Sequence, residues 1–109
     1  MRSYNLNIKV SGELNMPVVA DSQDEMEEWS FEYANNADTG DMRMESAKLK
    51  DFVKYKDRYD ICMILKGTVS VTINAENEEK ALKLAKKKVL NTDFGELENI
   101  QLDRPQKIA

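Results

Sequence analysis

YNLNIKVSGELNMPVVADSQDEM, running from Tyr4 to Met26, lies without a gap over YDICMILKGTVSVTINAENEEKA, running from Tyr59 to Ala81. The offset of 55 residues holds along the chain, with identities at Tyr4/Tyr59, Gly12/Gly67, Ala20/Ala75, Asn36/Asn91, Asp38/Asp93 and Gly40/Gly95. Between the identities, polarity and punctuation agree at nearly every step, which is the mark of an internal repeat. Two copies are too few for a solenoid, so the spacing predicts a pair sharing one core across a pseudo-two-fold axis.

Within each copy the hydrophobic period changes. Tyr4, Leu6, Ile8 and Val10 alternate with Asn5, Asn7 and Lys9, and Tyr59, Ile61, Met63 and Leu65 repeat the alternation, as half-buried strands do. Ser11-Gly12 and Lys66-Gly67 read as tight hairpin turns. Return strands would then bury Leu14, Met16 and Val18 in one copy and Val69, Val71 and Ile73 in the other. Pro17 cannot donate a ladder hydrogen bond, which places its strand at a sheet edge.

Helices follow, capped by Ser22 with Glu25 and by Asn77. The expected buried faces are Met26, Trp29, Ser30, Tyr33 and Ala34 in the first helix, and Ala81, Leu84, Ala85 and Val89 in the second. Asn36 and Asn91 close the helices. A final strand is expected at Leu97 to Leu102 and a weaker one at Met42 to Ala47. The fold class is therefore α+β: two tandem ββαβ repeats forming an antiparallel sheet with two helices, each copy ordered 2-1-3 with its last strand beside its first. Residues 1–109 make one compact unit, with repeat 1 at 4–47, repeat 2 at 59–103, and 48–58 an ordered connection between them.

Composition sets limits on function. Hydrophobic residues are 41% and charged residues 33%, the balance of a soluble globular chain. A single cysteine, Cys62, precludes an intramolecular disulfide and fits a reducing compartment. Apolar runs such as Ile61 to Leu65 are too short to span a bilayer, and the first residues lack a signal-peptide core, so a cytoplasmic protein without membrane contact is expected. The net charge of −4 is uneven: residues 1–55 carry six Lys/Arg against eleven Asp/Glu, while 56–109 carry ten against nine. A nucleic-acid binder would be basic, and a base-stacking sheet would show aromatics, whereas the expected open face offers Asn5, Asn7, Lys9, Thr68, Ser70, Thr72, Cys62 and Ile64. Nucleic acid is thus a disfavoured partner. The uncharged open face, or an edge strand, leaves homodimerisation open.

The segment VTINAENEEKALKLAKKKVLNTDFGELENIQLD resembles a small module of bacterial phage and mobile-element proteins, the DpnD/PcfM-like family. The shared pattern is a strand ending in alanine, an acidic helix start and a short final strand. Residues 59–103 carry it, and 4–47 carry it more faintly. The resemblance implies a phage or mobile-element context and supplies no catalytic residues.

Without histidine, the chain lacks the commonest general base and zinc ligand. No loop has EF-hand spacing and no glycine-rich phosphate loop is present. Cys62 would have only acidic or lysine neighbours, so an inert sheet residue is expected. No catalytic, cofactor or metal site is expected, and the chain reads as a non-enzymatic protein.

Residues 11–42 hold nine Asp/Glu and no Lys or Arg. Such a stretch is either a solvated face or a docking surface for a basic partner. Phe31 falls away from the expected buried side, near Asp24 and Glu27. There it either packs under the loop 35–40 or acts as an apolar anchor within a charged rim. The candidate partner-binding residues are Asp24, Glu27, Glu28, Phe31 and Glu32. Together these features predict a small acidic binding protein, an anti-CRISPR-like inhibitor from a phage or mobile element. Its protein partner would be a basic nucleic-acid-handling enzyme of bacterial defence. A nucleic-acid-binding or structural homo-oligomeric module is the alternative.

Overall fold

The computed structural model describes residues 1–102 and the backbone of 106–107; Asp103, the expected end of the second repeat, lies outside them. The protein is α+β, with two helices on an antiparallel sheet. Its elements are β1 (Arg2–Val19), α1 (Gln23–Asn36), β2 (Arg43–Tyr55), β3 (Arg58–Ala75), α2 (Glu78–Leu90), β4 (Glu98–Leu102) and β5 (Gln106–Lys107). The strand order is β2-β3-β1-β4, and β5 also pairs with β1.

The expected hairpins at Ser11-Gly12 and Lys66-Gly67 are absent. Each half instead begins with one continuous strand of 18 residues. The reason is parity. A two-residue turn switches the inward-facing residues between even and odd positions. Here Leu6, Ile8, Val10, Leu14 and Val18 all stay inward through Gly12, and Ile61, Met63, Leu65, Val69, Val71 and Ile73 do so through Gly67. Each half is therefore strand–helix–strand, not ββαβ. The true hairpin joins β2 to β3 through Lys56 and Asp57, with Lys56 left-handed at φ 48°. The expected connection 48–58 is accordingly mostly strand, because Leu49 and Phe52 continue the apolar face of β2.

β1 and β3 pair in a single uninterrupted register from Arg2 opposite Ala75 to Val19 opposite Arg58, with Ser11 opposite Lys66 at the centre. Neither half has the expected order with its last strand beside its first. β2 pairs with β3, and β4 pairs with β1. Each crossover helix thus carries the chain past the other half's long strand. The result is a slender molecule, 59 × 19 × 18 Å, with a radius of gyration of 16.9 Å, above the ~13 Å of a compact chain this long.

Both helices lie on the same face. Ser22 Oγ accepts from the Glu25 N–H at 3.2 Å and Asn77 Oδ1 from the Lys80 N–H at 2.9 Å, so each start is capped as expected. The Asn36 and Asn91 side-chain amides donate back to the Glu32 and Lys87 carbonyls at 2.9 and 3.1 Å. Past the helices the two loops meet over the middle of the sheet. The Asp41 N–H donates to the Asp93 carbonyl at 2.8 Å, and the Glu96 N–H donates to the Asp38 carbonyl at 2.7 Å. Gly40 and Gly95, at φ 61° and 60°, make this approach, since a Cβ on either would run into the opposing carbonyl.

Gly67 serves a different purpose from the turn expected of it. A Cβ there would meet the Arg43 carbonyl, where β2 bulges between Met44 and Ser46. Gly67→Asn, which a hairpin of type I′ would favour, is expected to lower folding stability by at least about 1–3 kcal/mol, the range for overpacking in a filled site. Urea denaturation measures it, and unchanged or raised stability would restore the hairpin.

Candidate functional site: the acidic helix α1

Only a narrow stripe of each helix is buried. In α1 it is Met26, Ser30 and Ala34, and in α2 it is Ala81, Ala85 and Val89. The broader faces expected from sequence are corrected at three positions: Trp29, Tyr33 and Leu84 are 42%, 49% and 46% exposed. The small residues at the stripe centre explain this. Ser30 and Ala34, like Ala81 and Ala85, let the backbone settle close to the sheet, which pushes larger neighbours to the flanks. Ser30 keeps its hydroxyl satisfied in that dry contact by donating to the Met26 carbonyl at 2.6 Å.

The candidate residues recur at i, i+3, i+4, i+7 and i+8, so they occupy one side of α1. Asp24, Glu28 and Glu32 are exposed and Glu27 is half-buried. Phe31 is 40% exposed and stands outside the hydrophobic core. Among the described residues, no carboxylate of α1 enters a salt bridge, whereas Lys80 and Lys83 of α2 pair with Glu76 and Glu79 within their own helix. Trp29 and Tyr33 stack on the other flank with ring centroids 6.2 Å apart. Tyr33 there lines a groove of ≈ 470 Å³ with Leu14, Met16, Ala37 and Glu96. α1 therefore presents aromatic surface on both sides of a row of carboxylates that no cation of the described residues neutralises. Equating apolar with buried hid half of it from the sequence reading.

The opposite sheet face is uncovered but internally matched. Ser70 and Thr72 hydroxyls donate to Asn7 and Asn5 at 2.6 and 2.9 Å. Lys9 reaches Glu45 at 2.8 Å, with Thr68 between them, and Lys50 reaches Glu13 at 3.0 Å. Glu13 is held below the usual carboxylate range first by its hydrogen bond from Asn99 and then by Lys50. Glu45 is lowered by its bonds from Lys9 and Thr68. Both contribute to stability above the unfolded carboxylate pKa and lose that contribution as pH falls through their folded values. Cys62, on this face, has its thiol pushed up by burial and then by the Glu13 carboxylate, against the opposing pull of Lys50.

Among the described residues, no group of three or more His, Cys, Asp or Glu side chains converges as a metal site, and no helix is long and apolar enough to cross a membrane. No family model, curated protein or solved structure matches the chain.

Two outcomes are expected. Phe31→Ala should change unfolding free energy by less than about 1 kcal/mol, while Met26→Ala, fully buried, should cost about 2–5 kcal/mol; equal losses would make Phe31 a packing residue. Because the thiolate is the reactive form, Cys62 should alkylate with iodoacetamide at pH 8 more slowly than a free cysteine. Faster labelling would mark an activated nucleophile.

Proposed function

We propose that the chain is a duplicated, non-enzymatic binding protein whose first helix has diverged into a docking surface for a basic protein partner. The observation that carries this reading is the row Asp24, Glu27, Glu28 and Glu32, none of them in a salt bridge among the described residues, with Phe31 exposed among it. A partly exposed aromatic beside carboxylates outside any salt bridge matches an interface anchor and rim, and carboxylates not neutralised by an internal cation keep their field for a cationic surface.

Duplication strengthens the argument. Central pairing of Ser11 with Lys66, the mutual hydrogen bonds of the Asp38 and Asp93 loops, and bulges in β2 and β4 at positions 55 residues apart are all consistent with two halves related by a pseudo-two-fold axis. If the halves began alike, differences between them mark what was selected separately. The stripe stays small and buried in both. The flanks differ: Trp29, Phe31 and Tyr33 stand where the second half has Leu84, Lys86 and Lys88. Aromatics and acids thus gather on one helix and lysines on the other, with the scaffold unchanged.

The row of carboxylates points to a basic partner, and the mobile-element context implied by the likeness of residues 59–103 supports a basic nucleic-acid-handling enzyme of bacterial defence, with the protein acting as an inhibitor that occupies the enzyme's cationic channel. The test is affinity capture from bacterial lysate, repeated with variants. Glu28→Lys/Glu32→Lys should slow association and lose its effect as salt rises, and Phe31→Ala should weaken capture by about 1–3 kcal/mol. Lys86→Glu on α2 should leave capture intact. Equal sensitivity of both helices, or salt-dependent binding of a DNA or RNA oligonucleotide in its place, would overturn the proposal.

A further inference from the structure

The two long strands are each paired along only part of their outer edges. β4 and β5 cover β1 from Leu6 to Glu13, and β2 covers β3 from Arg58 to Thr68. Among the described residues, nothing pairs with β3 on its outer side from Val69 to Ala75, nor with β1 from Leu14 to Val19. These two open stretches of the long strands differ in kind. Pro17 removes a donor from the β1 edge, a common device against further pairing. The β3 edge, VSVTINA, has no proline, no charge and no bulge. A seven-residue stretch holding Val69, Val71, Thr72 and Ile73, with open backbone groups, is a template for another strand.

We propose that the chain forms a two-fold homodimer in which Val69–Ala75 pairs antiparallel with the same segment of a second copy. The sequence is self-complementary about Thr72. That register places Thr72 opposite Thr72 and Ser70 opposite Asn74 on the polar face, and Val71 opposite Ile73 on the apolar face. No like charges oppose one another. The incoming strand extends the line that β2 leaves at Arg43, where its pairing with Thr68 ends.

The helix above the edge fits the same axis. α2 lies over β3 more than over β1. It runs back from the end of β3, so the level of Thr72, ~10 Å from Ala75 at about 3.3 Å per strand residue, is reached some six or seven residues into the helix at about 1.5 Å each. That residue is Leu84, or its neighbour, and Leu84 is 46% exposed with its side on the flank. Two copies of Leu84 then meet across the axis. α2 begins with Glu78 and Glu79 and ends with Lys87 and Lys88, so an antiparallel pair of these helices opposes their dipoles and their net end charges, while Lys80, held by Glu76 at 2.8 Å, comes opposite Lys88 of the second copy. Apolar contact at the axis, opposed helix dipoles and a strand that is its own complement about Thr72 commit the edge to a second copy of this chain. This dimer does not depend on the α1 reading, and Phe31→Ala should leave it unchanged.

The experiment measures mass by analytical ultracentrifugation of the full chain over a wide concentration range, then crosslinks across the axis. In a Cys62→Ser background, Thr72→Cys should oxidise to a covalent dimer, whereas Asn5→Cys, opposite Thr72 on β1 and facing the same side, should not. Thr72→Lys sets two like charges across the axis and should raise the dimer dissociation constant at least about tenfold. Leu84→Glu, at an exposed position that leaves β3 untouched, should act in the same direction and guards against a misfolded strand variant. A monomer at every concentration, masses beyond the dimer, crosslinking through Asn5, or a dimer indifferent to both Thr72→Lys and Leu84→Glu would each overturn the proposal.

Discussion

Everything in this fold hangs on one pairing, the 18-residue antiparallel ladder between β1 and β3. Because its register never slips, every inward residue of one strand faces an inward residue of the other, from Tyr4 opposite Ile73 to Val18 opposite Tyr59. A single shift by one residue would send that whole apolar set to the solvent face. The ladder also fixes where the helices go. Each strand ends with its last inward residues beside the start of its helix, so both helices fall on the same side and cover opposite halves of the ribbon. Burial of this one face, at roughly 25 cal/mol per Å² of apolar surface, is what opposes the chain entropy of so extended a shape.

A ribbon covered by two short helices still has a gap between them, and the two loops fill it. Asp38 Oδ1 accepts from the Gly40 N–H at 2.9 Å, and Asp93 Oδ1 accepts from the Gly95 N–H at 2.8 Å, so each loop is folded by its own aspartate before it meets the other. The loops then exchange backbone hydrogen bonds over the centre, and Met42, Phe94 and Leu97 are buried beneath them. Backbone groups that would otherwise be stranded at two helix ends satisfy one another. That accounts for the coincidence of Asp and Gly at the same spacing in both halves, which the sequence displays without indicating that the two loops touch.

Legibility followed the range of the interaction. Caps at Ser22 and Asn77, the helix-closing asparagines and the alternation of β1 and β3 are local, and all were readable. Pro17, expected on an edge strand, lies instead on β1, an inner strand between β3 and β4, at a stretch that β4 leaves uncovered beyond Glu13. No hairpin forms at either glycine: at Gly67 the missing side chain lets the Arg43 backbone pass, and at Gly12 it makes room for the side chains of Leu97 and Ile100. The unbroken parity of Val10, Gly12 and Leu14 was the available signal against a hairpin. Strand order was beyond reach: β4 joins β1 across 85 to 92 residues of sequence, and the hairpin of β2 on β3 replaces the two that the glycines suggested. At α1, the acidic row was visible, but the exposure of Trp29 and Tyr33 was not. A hydropathy pattern reports what a residue prefers, and only packing decides how wide a stripe the sheet can take.

The width of that stripe bears on how such a chain can change. Three residues per helix, mostly small, hold each helix to the sheet, and the positions 60° to 100° to either side are only partly covered. Substitution at those flanks alters little of the core, so a helix can gain aromatics and carboxylates or lysines at small cost in stability. α1 carries aromatics and carboxylates on its exposed sides and α2 carries lysines, while each helix starts at a side-chain cap and is followed by a loop glycine at positive φ. Separation of the residues that hold the helix from those it displays is a physical condition for a small protein to carry a binding surface without rebuilding its core. In this chain the ladder supplies the rigid base that condition requires, since a helix fixed by so narrow a contact can present its flanks in one orientation only if the sheet beneath it does not slip.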